Sequence, residues 1–219
     1  MPKITMKTEW RALLILAAAI GLSAWAYPQL PETVASHWNF QGNVDGWTNK
    51  TFHSLFFPGL LIFIYVLLLV TPYLDPRKER YAEFTGVYQL IRDSILFVMA
   101  SVFAIATFFN LGYDINVGKT VAFLIGLLFI VLGNYFGKIK RNWFVGIKTP
   151  WTLSSENIWN KTHRLGGRLF MVWGLLMILA PWLTFQWGML IVLGGVIALV
   201  IGVYAYSYVL YKKEKREVK

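Results

Sequence analysis

SLFFPGLLIFIYVLLLVTPYL, residues 54–74, holds no charged side chain. At 1.5 Å of rise per helical residue it spans about 30 Å, the thickness of a bilayer's hydrocarbon core. The run is continuously apolar. A porin-type strand would alternate, so the segment predicts a membrane-crossing helix rather than a barrel strand. Five more runs of the same kind lie at about 11–27, 94–113, 120–137, 169–187 and 189–211. The 219-residue chain is 57% hydrophobic and only 15% charged, and its charges fall in clumps between these runs. An ordinary soluble domain is about 45–50% apolar. The expectation is an all-α polytopic membrane protein with six transmembrane helices. AWAYP, near the end of the first run, resembles a weak cleavage site, but a basic flank and a full-length span favour an uncleaved helix.

Orientation follows from Lys and Arg. Nineteen of the 21 lie at the N-terminus, in 75–93, in 138–168 or in the C-terminal tail; Lys50 and Lys119 are the exceptions. With six spans both termini fall on this basic side, which should be cytoplasmic. The chain then reads as an N-terminal two-helix unit over 1–90, with a large outer loop at 27–54. A C-terminal four-helix unit over 91–219 carries a cytoplasmic loop at 138–168. The net charge of +10 is this inner-face excess. It suits anionic membrane lipids and gives no reason to invoke direct nucleic-acid binding.

The outer loop is rich in Pro, Gly and Asn-Asp-Gly-like turn residues, so it reads as turns rather than helix. Its Trp38, Phe40, Trp47 and Phe52 should rest on the membrane surface. The segment 75–93 reads as a short interfacial helix leading into the third span. In the inner loop, Gly146–Pro150 reads as a turn with Thr149 extended before Pro. Ser154 or Ser155 should cap a surface helix that ends at Gly166-Gly167, with Trp143, Trp151 and Trp159 as membrane anchors. On that helix Trp159 and His163 share a face. Gly188, Gly195 and Gly202 recur every seven residues, a face suited to close helix packing or to a homodimer.

Two stretches carry a longer pattern. GNYFGKIKRNWFVGIKTPWTLSSENIWNKTHRLGG, residues 133–167, resembles the signature of the SdpI family of bacterial immunity proteins. LPETVASHWNFQGNVDGW, residues 30–47, resembles the domain of unknown function that precedes it in those proteins. Lys148 stands where many relatives have Arg, which keeps the charge but loses a two-pronged contact. The resemblance implies a bacterial cell membrane protein that protects against a secreted, membrane-active toxin peptide. It also implies sensing of that toxin, with a cytoplasmic autorepressor held at the membrane. The implied toxin-contacting positions are Pro31, His37, Trp38, Asn39, Gly42, Asp45, Gly46 and Trp47. The implied inner positions, for a partner or ligand, are Asn134, Asn142, Gly146, Lys148, Thr149, Pro150, Trp151, Thr152, Leu153, Trp159, Thr162, His163 and Arg164.

Enzymatic readings find little support. His37 and His53 fall outside and His163 inside, so the three cannot share a site. There is no Cys and no HExxH pattern, so no catalytic residues, cofactor or metal site are expected. His37 and Asp45 can meet across the outer turn, as a turn hydrogen bond. The span interiors hold no ionisable residue; Asp93 and Asp114 sit at edges, which weakens a proton-coupled transporter. The alternative is a transporter or enzyme whose inner loop takes a lipid headgroup or anion on Lys148, His163 and Arg164.

Overall fold

The apolar runs become helices, and the polar residues beside them turn out to be helical as well. The structure, a computed structural model, describes residues 4–39 and 41–217. Phe40, Lys3 and Lys219 of the sequence argument lie outside the described residues. The long helices are α1 (Met6–Ala26), α2 (Lys50–Leu74), α3 (Thr85–Asn110), α4 (Val117–Phe136) and α6 (Glu156–Leu179). The last span is α7 (Phe185–Met189), a π-helical turn Leu190–Gly194 and α8 (Gly195–Glu217). Six of these stretches are long and apolar enough to cross a membrane. A five-residue helix, α5 (Pro150–Ser154), lies between α4 and α6.

Three features differ from the sequence expectation. The segment 75–93, expected as a short interfacial helix, is a 3-10 helix at Lys78–Glu83 followed by the first turns of α3 from Thr85. The loop between α1 and α2 contains an antiparallel hairpin, β1 (Thr33–Trp38) and β2 (Val44–Asn49). And α6 does not stop at Gly166-Gly167 but continues to Leu179. The surface helix and the fifth span are one helix. Glycine ends helices when its backbone must turn left-handed; here neither glycine does, and both serve close packing, since an added Cβ would strike Ile147 at Gly166 and the Gly133 carbonyl at Gly167.

Two compact units emerge, each assembled from separated stretches. Among the described residues one joins 4–69, less position 40, with Arg92–Ile125, and the other joins Val70–Ile91 with 126–217. In the first, α1, α2 and α3 pack around Ala12, Leu16, Ala19, Leu61, Tyr65, Leu96 and Phe103. Beside this core sits a buried ionic cluster. Arg92 donates to Glu9 (2.6 Å) and to Asp93 (2.9 Å), and Arg11 approaches Asp93 at 3.2 Å. Tyr65 donates its hydroxyl to Glu9 at 3.1 Å. Buried charges persist only when paired, and these are.

In the second unit α4 and α6 cross through glycine. A Cβ added to Gly126 would lie 2.6 Å from the Gly174 carbonyl oxygen, and one on Gly133 would lie 2.5 Å from that of Gly167. The π-turn in the last span frees backbone groups that lipid cannot satisfy. Trp173 meets one of them, donating its indole N–H to the Ile191 carbonyl at 3.1 Å. The same ring occupies the space where a Cβ of Gly195 would stand. Of the Gly188, Gly195 and Gly202 series, Gly195 is therefore the tight packing position, and Gly202 has open space before it.

Candidate functional site

In the first unit the candidate residues gather on the hairpin. Its tip is closed by Asn39, whose side-chain oxygen accepts from the backbone N–H of Gln41 and Asn43, both at 3.0 Å. Gly42 turns there with φ of 85°. The register slips between Ala35 and His37, so His37 pairs with Gly46 and Ala35 with Trp47. Such a bulge re-aims a side chain. It brings His37 Nδ1 against the Asp45 carboxylate. Gly46 is needed beside that pair, since a Cβ would stand 2.8 Å from that of His37. Trp47 projects outward and is 62% exposed. Pro31, His37 and Asp45 are exposed too; Trp38 is half-buried and meets Phe109 edge-on at 5.2 Å.

The hairpin is held at its back. Asn110 clasps the Ala35 backbone twice, accepting from its N–H at 2.7 Å and donating to its carbonyl at 2.9 Å. Val34 packs with Ala26 and Leu30. β1 is therefore fixed to helices through the Val34 side chain and the Ala35 backbone, while Trp47 and the His37–Asp45 pair stay exposed.

In the second unit the candidates gather in residues 139–155. Asn142 organises the first turn. Its side-chain oxygen accepts from the N–H of Phe144 (2.8 Å) and Val145 (2.7 Å), and its amide donates to the carbonyls of Lys140 and Val145. Asp75 supports it from outside, accepting from the Trp143 N–H (2.9 Å) and the Tyr81 hydroxyl (3.0 Å). Burial, and then Asp75, push the Tyr81 hydroxyl above its usual range, so it stays a donor. Gly146 follows with φ of 117°. Gly146→Ala should cost about 1–3 kcal/mol in thermal unfolding, because alanine is strained there and its methyl would strike the His163 ring.

His163 is fully committed. Its Nε2 accepts from the Ile147 N–H and its Nδ1 faces the Trp159 carbonyl, both at 2.9 Å. A backbone N–H can only donate and a carbonyl only accept, so the ring is neutral with its hydrogen on Nδ1. Trp159 stacks on it with centroids 4.0 Å apart and donates to the Ile139 carbonyl. Trp159 is fully buried, so it is a packing residue rather than the membrane anchor expected of it.

Thr149, extended before Pro150 as expected, caps α5 in a reciprocal box with Thr152. Thr149 also donates to Ser207 of α8, at 3.1 Å. Trp151 sits between Tyr204 and Tyr208. Ser155 caps α6 and donates to Glu214 at 2.9 Å. Asn142, Thr149, Thr152, Thr162 and His163 are all buried, and Leu153 is half-buried. Gly146 is partly covered, while Asn134, Pro150 and Arg164 are exposed. Lys148 is exposed and donates to the Phe144 carbonyl. The segment is thus a preorganised polar cap that locks α6 to α8. Sequence reasoning missed its outside supports Asp75, Tyr81, Ser207 and Glu214; a buried carboxylate directly after the apolar run 54–74 was the available signal. Among the described residues no His, Cys, Asp and Glu group is arranged to hold a metal ion.

Both stretches coincide with known family regions. Residues 138–207 match the SdpI/YfhL protein family, and residues 14–62 match a domain of unknown function, DUF1648. The chain is similar to the immunity protein SdpI of Bacillus subtilis (strain 168), with 25% identity over 210 residues. The match covers 95% of this chain and 98% of that one. No solved structure matches. With its six apolar helices, the chain is a multi-pass membrane protein carrying an SdpI/YfhL region behind a DUF1648 region.

Proposed function

We propose, from a chain that carries the SdpI/YfhL region and resembles an immunity protein from end to end, that this protein confers immunity to a secreted, membrane-active peptide toxin. The near full-length likeness is the observation that carries the reading. The role is non-enzymatic. Both termini face the cytoplasm, by the Lys and Arg distribution, and the hairpin faces outward. Its exposed residues are the recognition surface. Trp47 offers an apolar anchor, while His37, Asp45 and Pro31 set orientation; exposed aromatics of this kind dominate peptide interfaces. The polar cap at 139–155 is the inner readout, and its exposed Lys148 and Pro150 meet a cytoplasmic autorepressor. Coupling requires two arrangements of the protein with different toxin affinity.

The test is survival of a toxin-sensitive Gram-positive strain expressing the chain, with membrane potential recorded as toxin peptide is added. The wild type should hold the potential. Trp47→Ala, at equal membrane abundance, should lose about thirty-fold in the toxin concentration tolerated, the equivalent of a 2 kcal/mol anchor. Absence of protection by the wild type against every peptide toxin of the class would overturn the reading. Full protection by Trp47→Ala would move recognition off the hairpin.

A further inference from the structure

Three arginines and a lysine gather beside the polar cap, and their charges are unevenly answered. Arg80 grips Glu156 with two nitrogens, at 2.6 and 2.7 Å, and also meets Glu83 at 2.9 Å. Lys140 approaches Glu83 at 3.8 Å. These two cations use up the two nearby glutamates. Asp75 is occupied by the Arg77 N–H, the Tyr81 hydroxyl and the Trp143 N–H. Among the described residues no carboxylate pairs with the guanidinium of Arg77 or of Arg141.

Both groups nevertheless turn hydrogens inward. Arg77 Nη1 and Arg141 Nε are buried and have no hydrogen-bond acceptor. Arg141 otherwise makes one long contact, 3.4 Å to the Leu153 carbonyl. A buried cationic N–H without an acceptor is costly. Arg141 is held below its usual range, first by burial and then by Arg77, with Glu156 opposing in part and Arg80 adding to it, so the two arginines feel each other's charge. What is missing is a compact anion with several acceptor oxygens. Phosphate has that shape and charge, and guanidinium forks match it.

The surroundings indicate which phosphate. Arg77 lies over the Trp143 ring, 5.5 Å from its centroid. Trp143 and the adjoining Phe144 are 46% and 42% exposed. Leu74, the last residue of α2, is 64% exposed. Cations at the end of an apolar span beside exposed aromatic rings sit at headgroup depth. A free anion would not need that apolar rim.

We propose that Arg77 and Arg141 form a site for the phosphate of an anionic phospholipid, with Trp143, Phe144 and Leu74 against its acyl chains. The residues differ from Lys148, His163 and Arg164, the set that the sequence offered for a headgroup. The proposal does not depend on the immunity reading. Lipid bound here would answer the two guanidinium charges with which no described carboxylate pairs and would brace the polar cap from the bilayer.

The full-length protein is purified in mixed micelles of dioleoylphosphatidylglycerol and dioleoylphosphatidylcholine, and the lipids retained are counted by native mass spectrometry. The wild type should prefer phosphatidylglycerol by about tenfold or more, the equivalent of one charge-assisted contact. Arg77→Gln and Arg141→Gln should each lose most of that preference, and Arg141→Lys should keep part of it, which distinguishes lost binding from lost folding. The tail variant Lys212→Gln/Lys213→Gln should behave as wild type. Unchanged preference in both Gln variants would overturn the proposal, as would equal loss in the tail variant, which would show a general field rather than a site. Displacement of phosphatidylglycerol by millimolar sodium phosphate would assign the site to free phosphate and overturn the lipid half.

Discussion

Arg92→Met is expected to destabilise the protein by on the order of 3–5 kcal/mol, far more than its distance from either candidate site suggests. Arg92 is 2% exposed and sits between two acids that are themselves buried. Its Nη1 reaches Glu9 at 2.6 Å, while Nε and Nη2 reach Asp93 at 3.1 and 2.9 Å. Methionine fills similar volume without charge, so the loss is electrostatic rather than a cavity. Among the described residues it leaves Glu9 with the Tyr65 hydroxyl and Asp93 with Arg11, whose side chain is 49% exposed. The asymmetry of buried pairs gives a sharper test. Removing one partner strands a charge, whereas removing all of them need cost little. Arg92→Met with Glu9→Gln and Asp93→Asn should therefore recover most of the loss. Thermal unfolding in detergent and folded yield from membranes are the measurements. A loss below about 1 kcal/mol for Arg92→Met alone would mean that water reaches the cluster, since solvated pairs contribute no more than that.

The same cluster shows where sequence reading stopped. Each apolar run was legible as a span because hydrocarbon thickness fixes the length needed. Charge was read as the edge of a span, and there the reading fell short. The first span was expected from 11 and the third from 94, whereas α1 begins at Met6 and α3 at Thr85. Asp93 was placed at a span edge, and Glu9 and Arg92 fall outside the expected spans. They pair with one another, and pairing lets a helix carry charge into a buried position. Nothing local in the sequence says that residues 9 and 92 meet. The hairpin was hidden for a related reason. Its Gly and Asn content correctly signals turns, but its alternation is broken by the bulge after Ala35, and its inner face is covered by helices rather than by a second sheet.

For the polar cap, local chemistry was legible and destination was not. Thr149 before Pro150 and the Ser155 cap follow from residue type. So does the shared face of Trp159 and His163. What residue type could not show is that Asn142, Thr152 and His163 turn their hydrogen bonds inward. A motif rich in Asn, Thr, His and Trp reads equally as a ligand site or as a self-satisfied turn. Here the self-satisfied turn places the exposed Trp143, Phe144 and Lys148, so the buried motif residues shape a surface that their exposed neighbours in the motif form.

The second large effect lies in the crossing of α4 and α6. Gly167→Leu is expected to abolish folded protein in the membrane, or to cost about 3 kcal/mol or more where protein survives, the upper part of the range for overpacking. The pairing is reciprocal and antiparallel: Gly126 opposes Gly174, and Gly133 opposes Gly167. In each pair the first atom an added Cβ would meet is the partner's carbonyl oxygen, which is backbone and cannot swing aside. Membrane helices gain little from apolar burial against each other, since lipid is equally apolar. Close backbone approach supplies their contact energy instead, and a leucine at the crossing forfeits it along the whole interface. Gly202→Leu is the control, because no atom lies within 4 Å of the Cβ it would add. With a fluorescent protein fused to the C-terminus, fluorescence per cell and the elution profile in mild detergent should collapse for Gly167→Leu and stay at wild-type level for Gly202→Leu. Equal behaviour of the two would mean that the α4–α6 crossing does not hold this unit together. The contrast rests on geometry, because both positions are helical glycines and only Gly167 has a partner's backbone where a Cβ would stand.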